Sequence, residues 1–286
     1  MSCRAKRYAK GAKMKISTFI LHILKLSELY GLRSFSEALE SPFLRGIDGV
    51  EGDTKMFSKI DHKEIKRALD GMGLCTPCVY HEARCDGIFG GERERLKDEI
   101  KLQLERCAEL GTPIFMAVPC CAEVTEHDAV RSRMAEYFRV CAELSGEYGI
   151  RTAAENYASG RSTFATIADT EWFLNKLPEV DFVLDTGNYF FSYSDVTEAF
   201  EKFLPRLSHV HVKDIKEYKV APPYTLLGRG YDSMAIGEGD MPIRNIVDRL
   251  SNLGYRGAFS IEISSEIELP EKMRRSIDNL SRWIGR

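Results

Sequence analysis

The stretch Ser208-His209-Val210-His211-Val212-Lys213-Asp214 places titratable residues at every second position, with valines between them. Period-two alternation marks a β-strand, whose successive side chains point to opposite faces. His209, His211 and Lys213 therefore share one face, and Val210 and Val212 the other. Burying two imidazoles and an ammonium together is costly unless something pairs with them. The rest of the sequence has to supply that partner.

On either side of this strand, short apolar runs alternate with longer amphipathic ones. Strands are predicted over 15–19, 47–51, 75–80, 113–118, 151–155, 182–186, 208–213 and 257–263. Helices are predicted near 34–44, 61–72, 92–110, 125–149, 163–177, 194–204, 241–253 and 270–284, with Ser162 as cap of the fifth. Eight βα units spaced by roughly 30 residues match a (β/α)8 TIM barrel of about 250 residues. The glycine fingerprint of a doubly wound sheet, G-x-G-x-x-G after the first strand, is absent. Residues 14–286 read as a single barrel domain and 1–13 as a flexible basic extension. An extra helix is expected within 20–33, and a long, lid-like loop over 214–240.

Composition narrows the function classes. The 286 residues are 44% hydrophobic and 29% charged, with net charge −3, as in a soluble globular protein without a nucleic-acid-binding surplus of cations. No apolar run approaches a membrane span, and the basic start lacks the pattern of a secretory signal. A cytoplasmic protein with reduced thiols is expected. Of the eight cysteines, Cys75 and Cys78 have half the spacing of a zinc clip, with Cys85, Cys120 and Cys121 as completions. On a strand over 75–80, however, a spacing of three sends the two thiols to opposite faces.

A barrel builds its active site from the carboxyl ends of different strands. Four consecutive predicted strands end in Glu155, Asp185, His211 and Glu262. Two positions earlier stand Ala153, Val183, His209 and Ser260, a mostly small set that suits a filled layer below. Three carboxylates converging without a cation would repel one another and raise each other's pKa. One divalent metal ion resolves that conflict, and oxygen-rich ligation with one imidazole favours Mn2+, Mg2+ or Co2+, with Zn2+ also admissible.

The motifs "IDGVEGD" (47–53), "AAENY" (153–157), "LDTGN" (184–188), "HVHVKD" (209–214), "IGEGD" (236–240) and "GYRGAFSIEI" (254–263) resemble the xylose isomerase-like TIM-barrel family of sugar isomerases and epimerases. The resemblance runs from about residue 15 to 284, and implies a metal bound by Glu155, Asp185, His211 and Glu262. The family also holds apurinic-site endonucleases with three zinc ions and additional histidines. At three of those histidine positions this chain has Val118-Pro119, Asn188, and Ser233 or Met234. Only His81 is a counterpart, so DNA repair is disfavoured. Ketose 3-epimerases of the family carry a substrate-contacting histidine where Asn188 stands.

Such a site supports proton abstraction beside a carbonyl through a metal-stabilised enediolate, with Glu155 and Glu262 as acid and base. The outcome is isomerisation or epimerisation of a sugar or sugar-derived keto compound. The alternative is dehydration of a cyclic polyol or keto-acid; a non-catalytic carbohydrate-binding barrel ranks lower. Lys213, His81, Glu51, Asn188 and Arg161 are the candidate substrate contacts. The expected partner is a small sugar or keto-acid, with no nucleic acid or membrane, and the sequence is compatible with a homo-oligomer.

Overall fold

A computed structural model describes residues 13–123, 125–159, 162–218 and 230–286. Eight parallel strands close into a barrel: β1 (Lys15–Phe19), β2 (Gly49–Asp53), β3 (Val79–Arg84), β4 (Ile114–Cys120), β5 (Arg151–Glu155), β6 (Asp181–Asp185), β7 (Leu207–Val212) and β10 (Ala258–Ile261). β10 pairs with both β1 and β7, which completes the ring. Two further strands, β8 (Asp214–Tyr218) and β9 (Gly230–Met234), form an antiparallel hairpin at the mouth. The ends of the expected loop over 214–240 are therefore paired strands, while 219–229 lie outside the described residues, as do Arg161 and all but the last residue of the basic extension.

The helices are α1 (Ile20–Tyr30), α2 (Phe35–Leu39), α3 (His62–Gly71), α4 (Arg93–Leu110), α5 (His127–Glu147), α6 (Ile167–Lys176), α7 (Val196–Phe203), α8 (Ile243–Asn252) and α9 (Leu269–Trp283). The extra helix within 20–33 is α1. Several start where a side chain accepts the orphan N–H groups of the first turn. Asp195 caps α7, and Thr166 with Asp169 forms a capping box on α6. Ser162 does not cap α6; its hydroxyl accepts from Phe164 N, so the chain turns once more before Thr166.

Outward-facing residues such as Val210, Val212, Phe182 and Phe259 pack under the helices in one large core. Inside the barrel, Cys78, Ile114, Met116, Ala153 and Val183 form a separate plug. That plug fills the lumen from below, so polar side chains projecting inward nearer the carboxyl ends are held above an apolar floor.

Strand three is shifted from its expected place. Pro77 has no N–H to donate, so pairing before it is limited to an isolated bridge between Gly49 and Cys75, and the ladder runs over Val79–Arg84. Cys75 is therefore off the strand, where Lys15 Nζ approaches its sulfur at 3.3 Å, while Cys78 lies in the plug. Cys85 and Cys121 bring their thiols to 3.1 Å of each other at the ends of β3 and β4. Among the described residues no candidate metal-binding group holds more than one cysteine. No described helix is long and apolar enough to cross a membrane.

Candidate active site

The polar face of β7 meets its partner at the barrel axis. His209 and His211 both donate from Nε2 to Glu51 on β2, at 2.9 and 2.8 Å, each to a different carboxylate oxygen. Glu51 has no solvent exposure. Burial by itself would raise its pKa, but the charges of His211 and His209 hold it well below the carboxylate range. His209 also reaches Ser260 Oγ at 3.1 Å, and Ser260 shares a hydrogen bond of 2.5 Å with Ser17. Glu51 is thus a buried brace beneath the mouth and does not pair with Lys213.

The brace decides which nitrogen of His211 faces the mouth. With Nε2 committed to Glu51, Nδ1 lies 2.6 Å from Glu155 Oε1 and 3.9 Å from Glu262 Oε2. An imidazole lone pair and a carboxylate oxygen do not sit that close without a cation between them. A proton fills the role when no metal does: although burial opposes charge, Glu51 and Glu155 raise the His211 pKa well above its ordinary value.

The tetrapeptide 185–188 builds the opposite wall. Asp185 Oδ1 accepts from Gly187 N at 2.7 Å and Asn188 N at 2.8 Å. Its Oδ2 is buried without a hydrogen bond, although Lys213 Nζ stands 3.1 Å away as an ion-pair partner outside hydrogen-bond geometry. Thr186 fastens the end of β6 to Lys213 through both its hydroxyl and that residue's backbone. A Cβ at Gly187 would lie 2.8 Å from Lys213 Cγ, so only glycine lets the lysine pass. Asn188 accepts from Lys213 Nζ at 2.8 Å and donates to Asn156 O.

Lys213 also contacts Glu262 Oε1 at 2.6 Å. Burial disfavours the ammonium, but Asp185 and Glu262 keep it charged, well above a free lysine. Burial also raises the carboxyl groups of Glu155 and Asp185, the latter to about 6. Glu155, Asp185 and His211 offer ligand atoms that all lie within 4.8 Å of one another. An orphaned carboxylate oxygen, an imidazole nitrogen opposed by a carboxylate, and Glu262 beside both fit a divalent cation. The four would be its ligands.

Above them opens a cavity of about 390 Å3, lined among others by Phe19, Tyr80, Met116, Glu155, His211 and Glu262. A volume of that order suits a small molecule. Phe19 packs edge-on against His211, with ring centroids 4.9 Å apart. Tyr80 donates to Asp53 at 3.0 Å, which fixes one wall.

Of the sequence-derived set, the structure brings Glu155, Asp185, His211, Glu262, Lys213 and Asn188 together, with Glu51 one layer beneath. His81 is elsewhere. With β3 running over Val79–Arg84, Tyr80 and Glu82 face the lumen and His81 faces the helices, where it shares a hydrogen bond with Thr54 and packs on Phe115. Burial lowers its pKa to about 4, and its place behind the sheet keeps it out of the cavity lining, so the expected substrate contact does not form.

Sequence reasoning passed over His22, whose Nδ1 shares a hydrogen bond with Thr18 while Nε2 lies 3.1 Å from the carbonyl of Ile263. That clamp holds the backbone next to Glu262, and the signal for it was a histidine within the apolar run 20–24. Asp214, at the start of the expected loop over 214–240, begins β8 and accepts from the N–H groups of Gly237, Gly239 and Met241. It thereby folds the "IGEGD" turn.

The sequence profile of the xylose isomerase-like TIM barrel family matches residues 44–283, and the chain belongs to that family. Among curated relatives, an inosose dehydratase of Klebsiella pneumoniae subsp. pneumoniae is 25% identical over 279 residues, covering 84% of this chain and 86% of that protein. Similar solved structures include an IOLI protein with a bound zinc atom, at TM-score 0.72 and 16% identity, covering 95% and 98% of the two chains. A probable 3-DHS dehydratase, AsbF, from Bacillus anthracis superposes at TM-score 0.71 and 16% identity, covering 94% and 99%. A D-allulose 3-epimerase from Methylomonas sp. does so at 0.70 and 15%, covering 96% and 100%. At these identities the structural likeness concerns the fold.

Proposed function

We propose that this chain is a divalent-metal-dependent dehydratase of a polyhydroxy ketone, with Glu155, Asp185, His211 and Glu262 as metal ligands. The observation that carries the reading is the convergence of these four side chains under one cavity, with His211 Nδ1 turned toward the carboxylates by Glu51. A divalent ion in that place supplies Lewis-acid polarisation of the substrate carbonyl. Oxygen-rich ligation favours Mn2+, Mg2+ or Co2+, and the zinc-bound IOLI neighbour keeps Zn2+ in the panel.

The chain's own groups handle the protons. Glu262, beside the Lys213 ammonium, takes the proton from the carbon next to the carbonyl. Glu155 delivers a proton to the departing β-hydroxyl. One C–H and one C–O bond break, a C=C bond forms, and water leaves. Phe19 and Tyr80 present flat apolar surface to the substrate's C–H face.

Dehydration is placed ahead of epimerisation for two reasons. The curated relatives that align over most of this chain are inosose dehydratases. Asn188, where ketose 3-epimerases of the family carry a substrate-contacting histidine, is 3% exposed and already bonded to Lys213 and Asn156. An apurinic-site nuclease fits poorly, because His81 faces away from the mouth.

The test is incubation with a cyclic inosose in D2O with each metal in turn, followed by enone absorbance and proton NMR. Water loss that disappears in Glu262→Gln and in Glu155→Gln supports the reading. Deuterium uptake without water loss transfers the assignment to isomerisation or epimerisation. Neither signal across inososes, ketoses and keto-acids would overturn both and leave a binding barrel.

A further inference from the structure

The barrel has a second opening at its amino-terminal end, with a cavity of about 390 Å3. Among the described residues its lining contains Lys15, Arg151 and Arg256 and no carboxylate, together with Thr76, Ser208 and His209. The carboxyl-terminal cavity has the reverse character: its described lining includes Glu82, Glu155, Glu262 and Glu266 beside Lys25. That lysine is spent on Glu266 at 2.7 Å. The two mouths are therefore lined mainly by ionisable groups of opposite sign.

The cations of the lower mouth are unevenly compensated. Arg151 is paired with Asp181 at 2.7 Å. Lys15 and Arg256 have no carboxylate partner among the described residues. Lys15 Nζ has the Cys75 sulfur at 3.3 Å, and Arg256 donates to the carbonyl of its neighbour Tyr255 at 2.8 Å. One such donation leaves most of a guanidinium's five N–H groups for other partners. Uncompensated cations around a concave, partly desolvated volume concentrate field and draw counter-ions. In barrels of this type the amino-terminal face ordinarily serves stability alone, yet among the described residues Lys15 and Arg256 stand there without a carboxylate and so add no ion pair to the fold.

We propose that the amino-terminal cavity is a binding site for a small multiply charged oxyanion, a phosphomonoester or a polycarboxylate, held by Lys15 and Arg256, with Arg151 in the same lining and paired to Asp181. The volume admits a ligand of metabolite size. Arginine's planar fork grips a phosphate or carboxylate through paired hydrogen bonds, and lysine supplies a point charge. This cavity and the carboxyl-terminal one share no lining residue among those described, so the two sites are distinct. The inference does not depend on which reaction the upper site performs.

Calorimetric titration of the full chain, stripped of metal with chelator and held at low ionic strength, tests the proposal. The probes are inorganic phosphate and tricarballylate, with myo-inositol as an uncharged control. One saturable anion per chain is expected, weakening as salt is raised. Affinity should fall by about tenfold or more in Arg256→Gln and in Lys15→Gln, should be partly kept in Arg256→Lys, and should not change in Glu155→Gln at the other mouth. A preference for phosphate or for tricarballylate separates the two ligand sources. Circular dichroism and urea midpoints establish that each variant is folded, and the charge-keeping Arg256→Lys serves if Arg256→Gln is not. The proposal fails if neither anion saturates the wild-type chain. It fails equally if both charge-removing variants bind as tightly as wild type, or if Glu155→Gln weakens binding as much as they do.

Discussion

Replacing Glu51 by glutamine keeps shape and volume while removing the charge on which two histidines converge. The carboxylate accepts from His209 Nε2 at 2.9 Å and from His211 Nε2 at 2.8 Å, with no access to water. An amide accepts at one end only and donates at the other. One imidazole must then give up its Nε2 proton, and the other keeps a neutral hydrogen bond in place of a charge-assisted one. Hydrogen bonds to charged groups contribute about 1.5–3 kcal/mol and neutral ones about 0.5–1.5, so two weakened bonds amount to about 2–3 kcal/mol. If the amide turns its NH2 toward His211, the ring's proton moves to Nδ1, the atom proposed to bind metal. Loss of such a supporting partner typically weakens a metal by about 10–100-fold. Urea unfolding of chelator-treated protein, run beside competition titration with Mn2+ and Co2+, reads the two effects separately. A folded Glu51→Gln protein with an unchanged midpoint and metal affinity within about threefold of wild type would refute the brace.

Three further outcomes follow from other parts of the barrel. Lys213→Met removes the ammonium set between Asp185 and Glu262. In chelator the variant should lose about 3–5 kcal/mol, because carboxylates are left buried without a counter-ion. Millimolar Mn2+ should restore much of the loss, and equal midpoints with and without metal would contradict this. Burial holds His81 at about 4 in the folded chain, against about 6.5 when unfolded. The unfolded chain therefore binds the extra proton, and stability falls as pH drops below about 6.5. The fall is about 2 kcal/mol by pH 5, and urea midpoints of His81→Asn should lack that part of the acid slope. A Cβ at Gly239 would lie 2.2 Å from Asp214 Oδ1 and 2.7 Å from Ile215 O. Gly239→Ala should cost about 1–3 kcal/mol through overpacking, and a wild-type urea midpoint would show that the turn gives way freely.

Much of the barrel could be read from the chain because its signals are local. Alternation in 208–213 shows which residues of one strand share a face, and the same rule applied to Glu155, Asp185 and Glu262 selects four ends that converge. Strand three was misplaced because "CTPCVY" (75–80) is apolar enough for a strand, while Pro77 prevents the ladder from starting there. Within the ladder Val79–Arg84, Tyr80 and Glu82 take the lumen side, so alternation sends His81 to the helices with Val79 and Ala83.

By itself, the sequence determined the repeating βα order, the polar face of β7 and the strand-end chemistry, all properties of residues a few positions apart. Tertiary structure alone decided the pairings. Glu51 lies 158 and 160 residues from the histidines it holds, and Lys213 meets Glu262 only because β10 closes the ring against β7. Closure likewise gathers Lys15, Arg151 and Arg256 around one opening, from strands and a turn far apart in the chain. A strand's alternation states which way a side chain points; only the closed barrel states what it points at.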